Sequence, residues 1–365
     1  VETLVSSHWA GRRVLVTGHT GFKGSWLALW LHSLGARVTG FALPPPTSPS
    51  LFEATRIGGL IDHVEGDVRD LSAVRATVER VRPDVVFHLA AQPLVRLSYR
   101  EPVETYATNV MGTVNLLEAI RQVGGVKAAI CVTSDKCYEN REWSWAYRES
   151  DPMGGHDPYS SSKGCAELVV SAWRRSFFES NGPALASVRA GNVIGGGDWA
   201  EDRLVPDLVR AFEASVAPPV RSPDSVRPWQ HVLEALGGYL MLAERLLAGE
   251  RRLAEGWNFG PSDEDARPVR WIVERMRTAW GKAAAPPEAD RGPRPHEAGL
   301  LRLDSSRARA ELGWRPVLEL GEAIGWIVEW HKAVARGEDA GAVTLRQIAR
   351  YGSLARGTQP TGLAA

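Results

Sequence analysis

Residues 12–42 read RRVLVTGHTGFKGSWLALWLHSLGARVTGFA, and the architecture is legible from them outward. Arg12 to Thr17 is a short β-branched run that predicts a strand, Phe22 to Leu34 an apolar-rich helix, and Ala36 to Ala42 a second strand. A βαβ unit of about 30 residues is what a dinucleotide-binding crossover requires. The turn between strand and helix carries Gly18, Gly21 and Gly24 in a G-x-x-G-x-x-G spacing. Gly18 suits the tight turn, Gly21 lets backbone N–H groups approach a pyrophosphate, and Gly24 permits close helix packing. The second strand ends in Gly40-Phe41-Ala42-Leu43, without the carboxylate that would bind a ribose 2′-hydroxyl. The site therefore leaves NAD against NADP open. Asp67, in Gly66-Asp67-Val68 after the third strand, suits either the adenine end of such a ligand or a helix N-cap.

Beyond this unit, further strands fit Ile61 to Glu65, Asp84 to His88, Ala128 to Thr133 and Leu185 to Arg189. Helices fit Leu71 to Val81, Pro102 to Val123 and Tyr159 to Ser180. The alternation predicts an α/β fold, a doubly wound parallel sheet with helices on both faces. Pro44-Pro45-Pro46 and Pro49 mark a stiff loop after the second strand. After Arg189 the rhythm gives way to Gly/Pro-rich loops and isolated helices such as His231 to Leu247 and Leu318 to Ala335. We expect residues 1–190 to form the dinucleotide domain with the catalytic residues, 191–342 a smaller lobe over the crevice, and 343–365 a tail that frays.

Composition narrows the class. Lysine plus arginine equals aspartate plus glutamate at 43 each, so no global field favours nucleic acid or an anionic membrane, and an anionic ligand must be held by local groups. No apolar run approaches the ~20 residues of a membrane span, and Val1 to Gly11 lacks the apolar core of a signal peptide. The default is a cytoplasmic protein. Cys131, Cys137 and Cys165 are odd in number and unpaired in spacing, which indicates free thiols and no metal site.

The chemistry is carried by Tyr159 and Lys163. Four residues apart on a helix, they place a phenol and an ammonium on one face. A free tyrosine has a pKa near 10, so its use as a base near neutral pH requires a lowering of roughly 2 to 3 units. A fixed ammonium and an oxidised nicotinamide are the right neighbours for that, and together they suggest redox chemistry on an alcohol. The fifth strand runs into Ser134-Asp135-Lys136, at the carboxyl edge where open α/β sheets bind ligands. Trp26 and Trp30 sit at helical spacing and read as core, whereas Trp199 and Trp229 in second-lobe loops are candidates for ligand contact.

The glycine run, Leu89-Ala90-Ala91, Ser134, Tyr159 and Lys163 resemble the extended short-chain dehydrogenase/reductase family over about Arg12 to Trp330. Within it, Gly18 to Trp26, Ser134 to Tyr138, Asn192 to Trp199 and Arg227 to His231 resemble the nucleotide-sugar 4,6-dehydratases. Relatives there usually carry Asp-Glu after the serine or threonine. Lys136 in the second of those positions is similar to the CDP-sugar branch and leaves the elimination base open. The resemblance implies NAD as cofactor, held by Gly18, Thr20, Gly21, Phe22, Lys23, Gly24, Asp67, Val68, Leu89, Ala90 and Ala91, with Tyr159 and Lys163. It implies CDP-glucose as substrate, contacted by Asn192, Arg203, Arg227 and Asn258, and Ser134, Asp135, Lys136, Tyr159 and Lys163 as catalytic. It also implies a homodimer or homotetramer built through the helices Pro102 to Val123 and Tyr159 to Ser180. Two other readings stay open: an epimerase or 4-ketoreductase on the same scaffold, and a non-enzymatic dinucleotide sensor or RNA-binding relative. The first lacks a use for Asp135-Lys136, and the second for Ser134, Tyr159 and Lys163 together.

Overall fold

The computed structural model describes residues 6–281, 284–289 and 298–358. Its strands in chain order are β1 (Arg13–Thr17), β2 (Arg37–Ala42), β3 (Asp62–Glu65), β4 (Val85–His88), β5 (Ala128–Val132), β6 (Ala184–Ala190), β7 (Asn192–Ile194), β8 (Pro219–Val220), β9 (Val226–His231), β10 (Gly256–Phe259), β11 (Ala266–Pro268) and β12 (Glu288–Ala289). Seven of them form a sheet in the order β10-β6-β5-β4-β1-β2-β3, parallel throughout. The order reverses between β1 and β4, and that switch point opens the crevice at the carboxyl ends of the strands.

Both faces of the sheet are covered, which is why its strands read as continuous apolar runs. Val14, Val16, Val85, Phe87 and Ile130 face one core with Trp26 and Leu27 of the helix Phe22–Ser33 and Leu236 and Leu240 of the helix Val232–Leu247. Leu15, Val86, Ala129 and Cys131 alternate to the opposite core, against Val78, Leu116, Ile120 and Val170. Burial of each such side chain contributes about 1.5–3 kcal/mol. Trp26 and Trp30 are core residues, as their spacing predicts.

The second half of the chain is less separate than expected. Strand β10 is the edge strand of the main sheet, and the helix Val232–Leu247 covers one of its faces. The remainder forms the smaller lobe: a three-stranded sheet, β11-β9-β7, with the helices Leu204–Glu213, Val269–Trp280 and Leu320–Ala335 around Leu208, Ile272, Ile324 and Ile327. Up to residue 358, the expected fraying tail is the helix Ala340–Thr358. It docks because Val343, Ile348 and Tyr351 are buried and the Tyr351 hydroxyl donates to Glu234 Oε2 at 3.0 Å. The rest of the expected tail, 359–365, lies outside the described residues. No helix among the described residues is long and apolar enough to cross a membrane.

Candidate active site

The loop after β1 is shaped as its glycines require. Gly18 has φ +75°, and a Cβ there would meet the Ala90 backbone nitrogen at 2.6 Å. A Cβ on Gly24 would meet the Gly18 carbonyl oxygen at 2.1 Å. These two approaches press the helix Phe22–Ser33 onto the loop and the loop onto Leu89-Ala90. Gly21 caps the helix and would have only the Gly18 carbonyl oxygen near its Cβ, at 3.4 Å, so the face where a diphosphate would approach is clear.

A cleft of about 650 Å³ runs from this loop to the second lobe, within the usual size of small-molecule sites. Gly18, Thr20, Gly21, Phe22, Lys23, Gly24, Asp67, Val68, Leu89, Ala90, Ala91, Ser134, Asp135, Lys136, Tyr159, Lys163, Asn192, Arg203 and Arg227 all line it. Seven lysines and arginines against five aspartates give it a positive lining in a chain of zero net charge. An anionic ligand is thus matched locally.

Asn258 is the exception. It is 0% exposed in β10, where its amide accepts from the Tyr138 hydroxyl at 2.7 Å and donates to the Tyr147 and Asp304 carbonyls at 2.9 and 3.1 Å. Every polar atom of that side chain is used by protein groups, so it holds strands and loops together rather than touching a ligand. Asp67 does line the cleft, but the helix Leu71–Val81 is capped by Asp70, whose carboxylate accepts from Ser72 and Ala73 N–H. The Asp67 carboxylate instead binds Arg69, which reaches on to Glu104.

The catalytic helix is Pro158–Ser176, started by Pro158 and by Asp157, which accepts from Ser160 N–H at 2.9 Å. That start puts Tyr159 and Lys163 on the first turns, against the end of β5. Tyr159 is 8% exposed, and burial pushes its phenol up to about 12, with the Ser134 hydroxyl and the Arg203 cation pulling the other way. Lys163, expected to be the acidifying cation, donates to the Val132 carbonyl at 3.4 Å, and burial brings it down to about 8. Arg203, held by Asp198 at 2.9 Å, is a cation that lowers the phenol's pKa. Asp198 belongs to the Asn192 to Trp199 block read from the sequence, which gave it no role.

Asp135 is 2% exposed, and burial raises its pKa against the pull of Lys136, Ser134 and Arg227. Ser134 donates to its Oδ1 at 3.0 Å, while Oδ2 is buried without a protein partner. Burial thus favours the acid form of a carboxyl that has one oxygen free of protein partners. Lys136 follows it at the cleft wall.

Three further features were not read from the sequence. Asn109 lies in a π-turn, Ala107–Met111, that interrupts the helical stretch from 102 to 123, and it donates to Ser162 Oγ at 2.8 Å, tying that stretch to the catalytic helix. His19 of the glycine run is fully buried, hydrogen-bonded to His63 at 2.7 Å, and packed so closely on β2 that only glycine fits at position 40. The proline loop reaches the cleft through Pro44 and Pro46. Of the two tryptophans expected in loops, both line the cleft: Trp199 packs on Trp330, while Trp229 stands in β9 and is buried, donating to the Arg267 carbonyl at 2.9 Å.

A doubly wound parallel sheet with a glycine-lined crevice, and a buried serine, tyrosine and lysine at its mouth, defines an extended short-chain dehydrogenase/reductase. More narrowly, residues 15–325 match the GDP-mannose 4,6 dehydratase family, and the chain belongs to it. It is 58% identical over 348 residues to a CDP-glucose 4,6-dehydratase of Salmonella typhimurium, covering 94% of this chain and 97% of that one. A dTDP-glucose 4,6-dehydratase of Xanthomonas campestris is 26% identical over 87% of this chain and 92% of its own. Among solved structures, an NAD-dependent NDP-hexosamine 5,6-dehydratase of tunicamycin biosynthesis superposes with TM-score 0.73 at 26% identity, covering 88% of this chain and 98% of that one.

Proposed function

We propose that the chain is an NAD-dependent hydro-lyase that converts CDP-glucose to CDP-4-keto-6-deoxyglucose and water. The observation that carries this is the joining of two kinds of machinery in one cleft: an alcohol-oxidising pair, Tyr159 with Lys163, and a buried Asp135 carboxyl whose pKa burial raises and whose Oδ2 has no protein partner. The 58% identity to a CDP-glucose 4,6-dehydratase over nearly the whole chain, against 26% for a dTDP-glucose enzyme, supports the CDP-sugar. The glycine cradle fits NAD, which when bound supplies the hydride acceptor and donor and a cationic ring beside the phenol.

In this reading Tyr159, oriented by Ser134, takes the proton from the C4 hydroxyl. From about 12, reaching ionisation near pH 8 requires about 5 kcal/mol of added stabilisation of the phenolate, which is why a cleft rich in cations suits it. The C4 ketone makes the C5 proton acidic. Asp135 then delivers its proton to the departing C6 hydroxyl, while Lys136 removes the C5 proton or stabilises the resulting enolate. Asn192, Arg203 and Arg227 face the diphosphate side, where guanidinium geometry matches phosphate oxygens. An epimerase has no use for Asp135 as an acid. The expected result with CDP-glucose and NAD is a product lighter by one water, without build-up of NADH, identified by mass and NMR. A product of unchanged mass overturns the proposal.

We also infer a cytoplasmic enzyme, in the compartment that supplies both NAD and nucleotide sugars, and a homodimer or homotetramer. The 102–123 stretch and the catalytic helix pack side by side. Leu116, Leu117, Ile120, Val170 and Phe178 turn inward, while Val103, Met111, Leu168 and Phe177 remain 81, 50, 62 and 47% exposed. Large apolar side chains left exposed on two neighbouring helical stretches favour a partner. Leu168→Asp is expected to turn a dimer or larger species into monomer by light scattering at micromolar concentration. A parent protein that is itself monomeric overturns the assembly.

A further inference from the structure

Tyr159, Lys163 and Glu167 lie at four-residue steps on the catalytic helix and meet three consecutive residues at the end of β5. Ser134 acts on the Tyr159 phenol, Val132 accepts from Lys163 Nζ, and the Thr133 hydroxyl donates to Glu167 Oε1. Glu167 is the third rung, and nothing in the chemistry so far uses it.

Its surroundings are built around a charge. Arg189 of β6 grips the carboxylate through Nε at 2.9 Å and Nη2 at 2.8 Å, and the Ser187 hydroxyl donates to Oε2 at 2.7 Å. The two side chains are only 5 and 4% exposed. Arg189 continues through Nη1 to the Tyr138 hydroxyl at 2.7 Å, and Tyr138 donates to Asn258. The pair thus braces the loop that carries Ser134, Asp135 and Lys136 from behind. A buried ion pair of this kind is often no more stabilising than well-packed apolar groups, so stability alone is a weak reason for it.

We propose that Glu167, clamped by Arg189, is a positioning residue that sets the register of the catalytic helix against β5 and serves as the counter-charge of Lys163. The inference rests on the assignment of Tyr159 and Lys163 to the chemistry above. The titratable groups acting on or facing Lys163 come from five segments. Lys23 stands on the glycine-loop helix, brought down to about 7 by burial and then by its cationic neighbours. His88 on β4 is brought down to about 3 by burial and so is neutral. Cys131 on β5 is pushed up to about 12 and Cys137, after β5, well above its usual value, both by burial, so neither thiol is ionised near neutral pH. Glu167 on its own helix is pushed up by burial, but Arg189 and the hydrogen bonds outweigh that and leave it below the usual carboxylate value. Glu167 is therefore the anion of that set. Lys163 itself titrates at about 8, and its charge is present below that value and lost as pH rises through it.

The test uses E167Q, E167D and the double variant E167M/R189M of the full chain, assayed on CDP-glucose beside the parent. Removing the anion leaves Arg189 unopposed, so the alkaline limb of the E167Q pH–rate profile moves down by about one pH unit. Turnover falls at least about tenfold while KM stays within about twofold, because the loss is of alignment rather than substrate contact. E167D keeps the alkaline limb at the parent pH. E167M/R189M replaces the pair with apolar groups of similar size and stays folded by thermal melt even if E167Q does not. Its turnover remains down by the same order. A folded double variant with parental turnover and alkaline limb, or a defect confined to KM, overturns the inference. A parent inactive on CDP-glucose counts against the functional reading instead, so the two failures are separable.

Discussion

Tyr159→Phe is expected to lower turnover of CDP-glucose by at least about 100-fold, the usual scale for loss of a general base. The substitution keeps the ring in its buried slot and removes only the hydroxyl, which faces Ser134 and the Arg203 cation. No packing is lost, so the folded state and the other residues that line the cleft persist. CDP-glucose affinity measured by calorimetry should therefore stay close to the parent value while product formation collapses. The combination distinguishes a base from a binding residue, since a group used equally in ground and transition states changes affinity first. Near-parental turnover would remove Tyr159 from the chemistry.

Asp135→Asn is expected to have an effect of similar size at a different step. Asparagine retains an oxygen for the Ser134 hydroxyl, and its amide takes the place of the partnerless Oδ2, so the side chain fits. It has no acidic proton to give to the C6 hydroxyl. Oxidation at C4 should proceed and elimination stall, so that in a single turnover the absorbance of reduced nicotinamide rises toward one equivalent per site and stays there. The parent should show no such accumulation. Burial raises the Asp135 pKa, so in the parent the acid form persists above the usual carboxylate range and is lost as pH rises through the raised value. An Asp135→Asn enzyme that releases dehydrated sugar at the parent rate would assign the acid elsewhere.

The two substitutions act on residues that line one cleft, and the sequence made only part of that cleft legible. Tyr159 and Lys163 were legible because helical spacing is local, and the glycine run because only glycine has room at positions 18 and 24. Asn258 was placed against the substrate by resemblance alone, whereas three partners from distant segments, Tyr138, Tyr147 and Asp304, consume its amide. Asp67 was offered for the adenine end of the cofactor or as a cap; Asp70, three residues on, is the cap, and Asp67 lines the cleft, because boundaries of that size depend on where the third strand releases the chain. The helix Ala340–Thr358 was mistaken for a tail because its apolar residues are sparse, yet Val343, Ile348 and Tyr351 suffice once a groove exists to receive them.

By itself the sequence determined the parallel sheet, the helix that bears the catalytic pair, and the run of polar residues after β5, because strand alternation, helical periodicity and glycine sterics act between near neighbours. Only the tertiary structure decided that Arg203 is among the cations acting on Tyr159, and that Glu167 stands on the same stripe locked by Arg189. It alone decided that one oxygen of Asp135 has no protein partner. Charge interactions and burial are summed over groups that meet only after folding, and their strength depends on a desolvation that no stretch of sequence carries within itself.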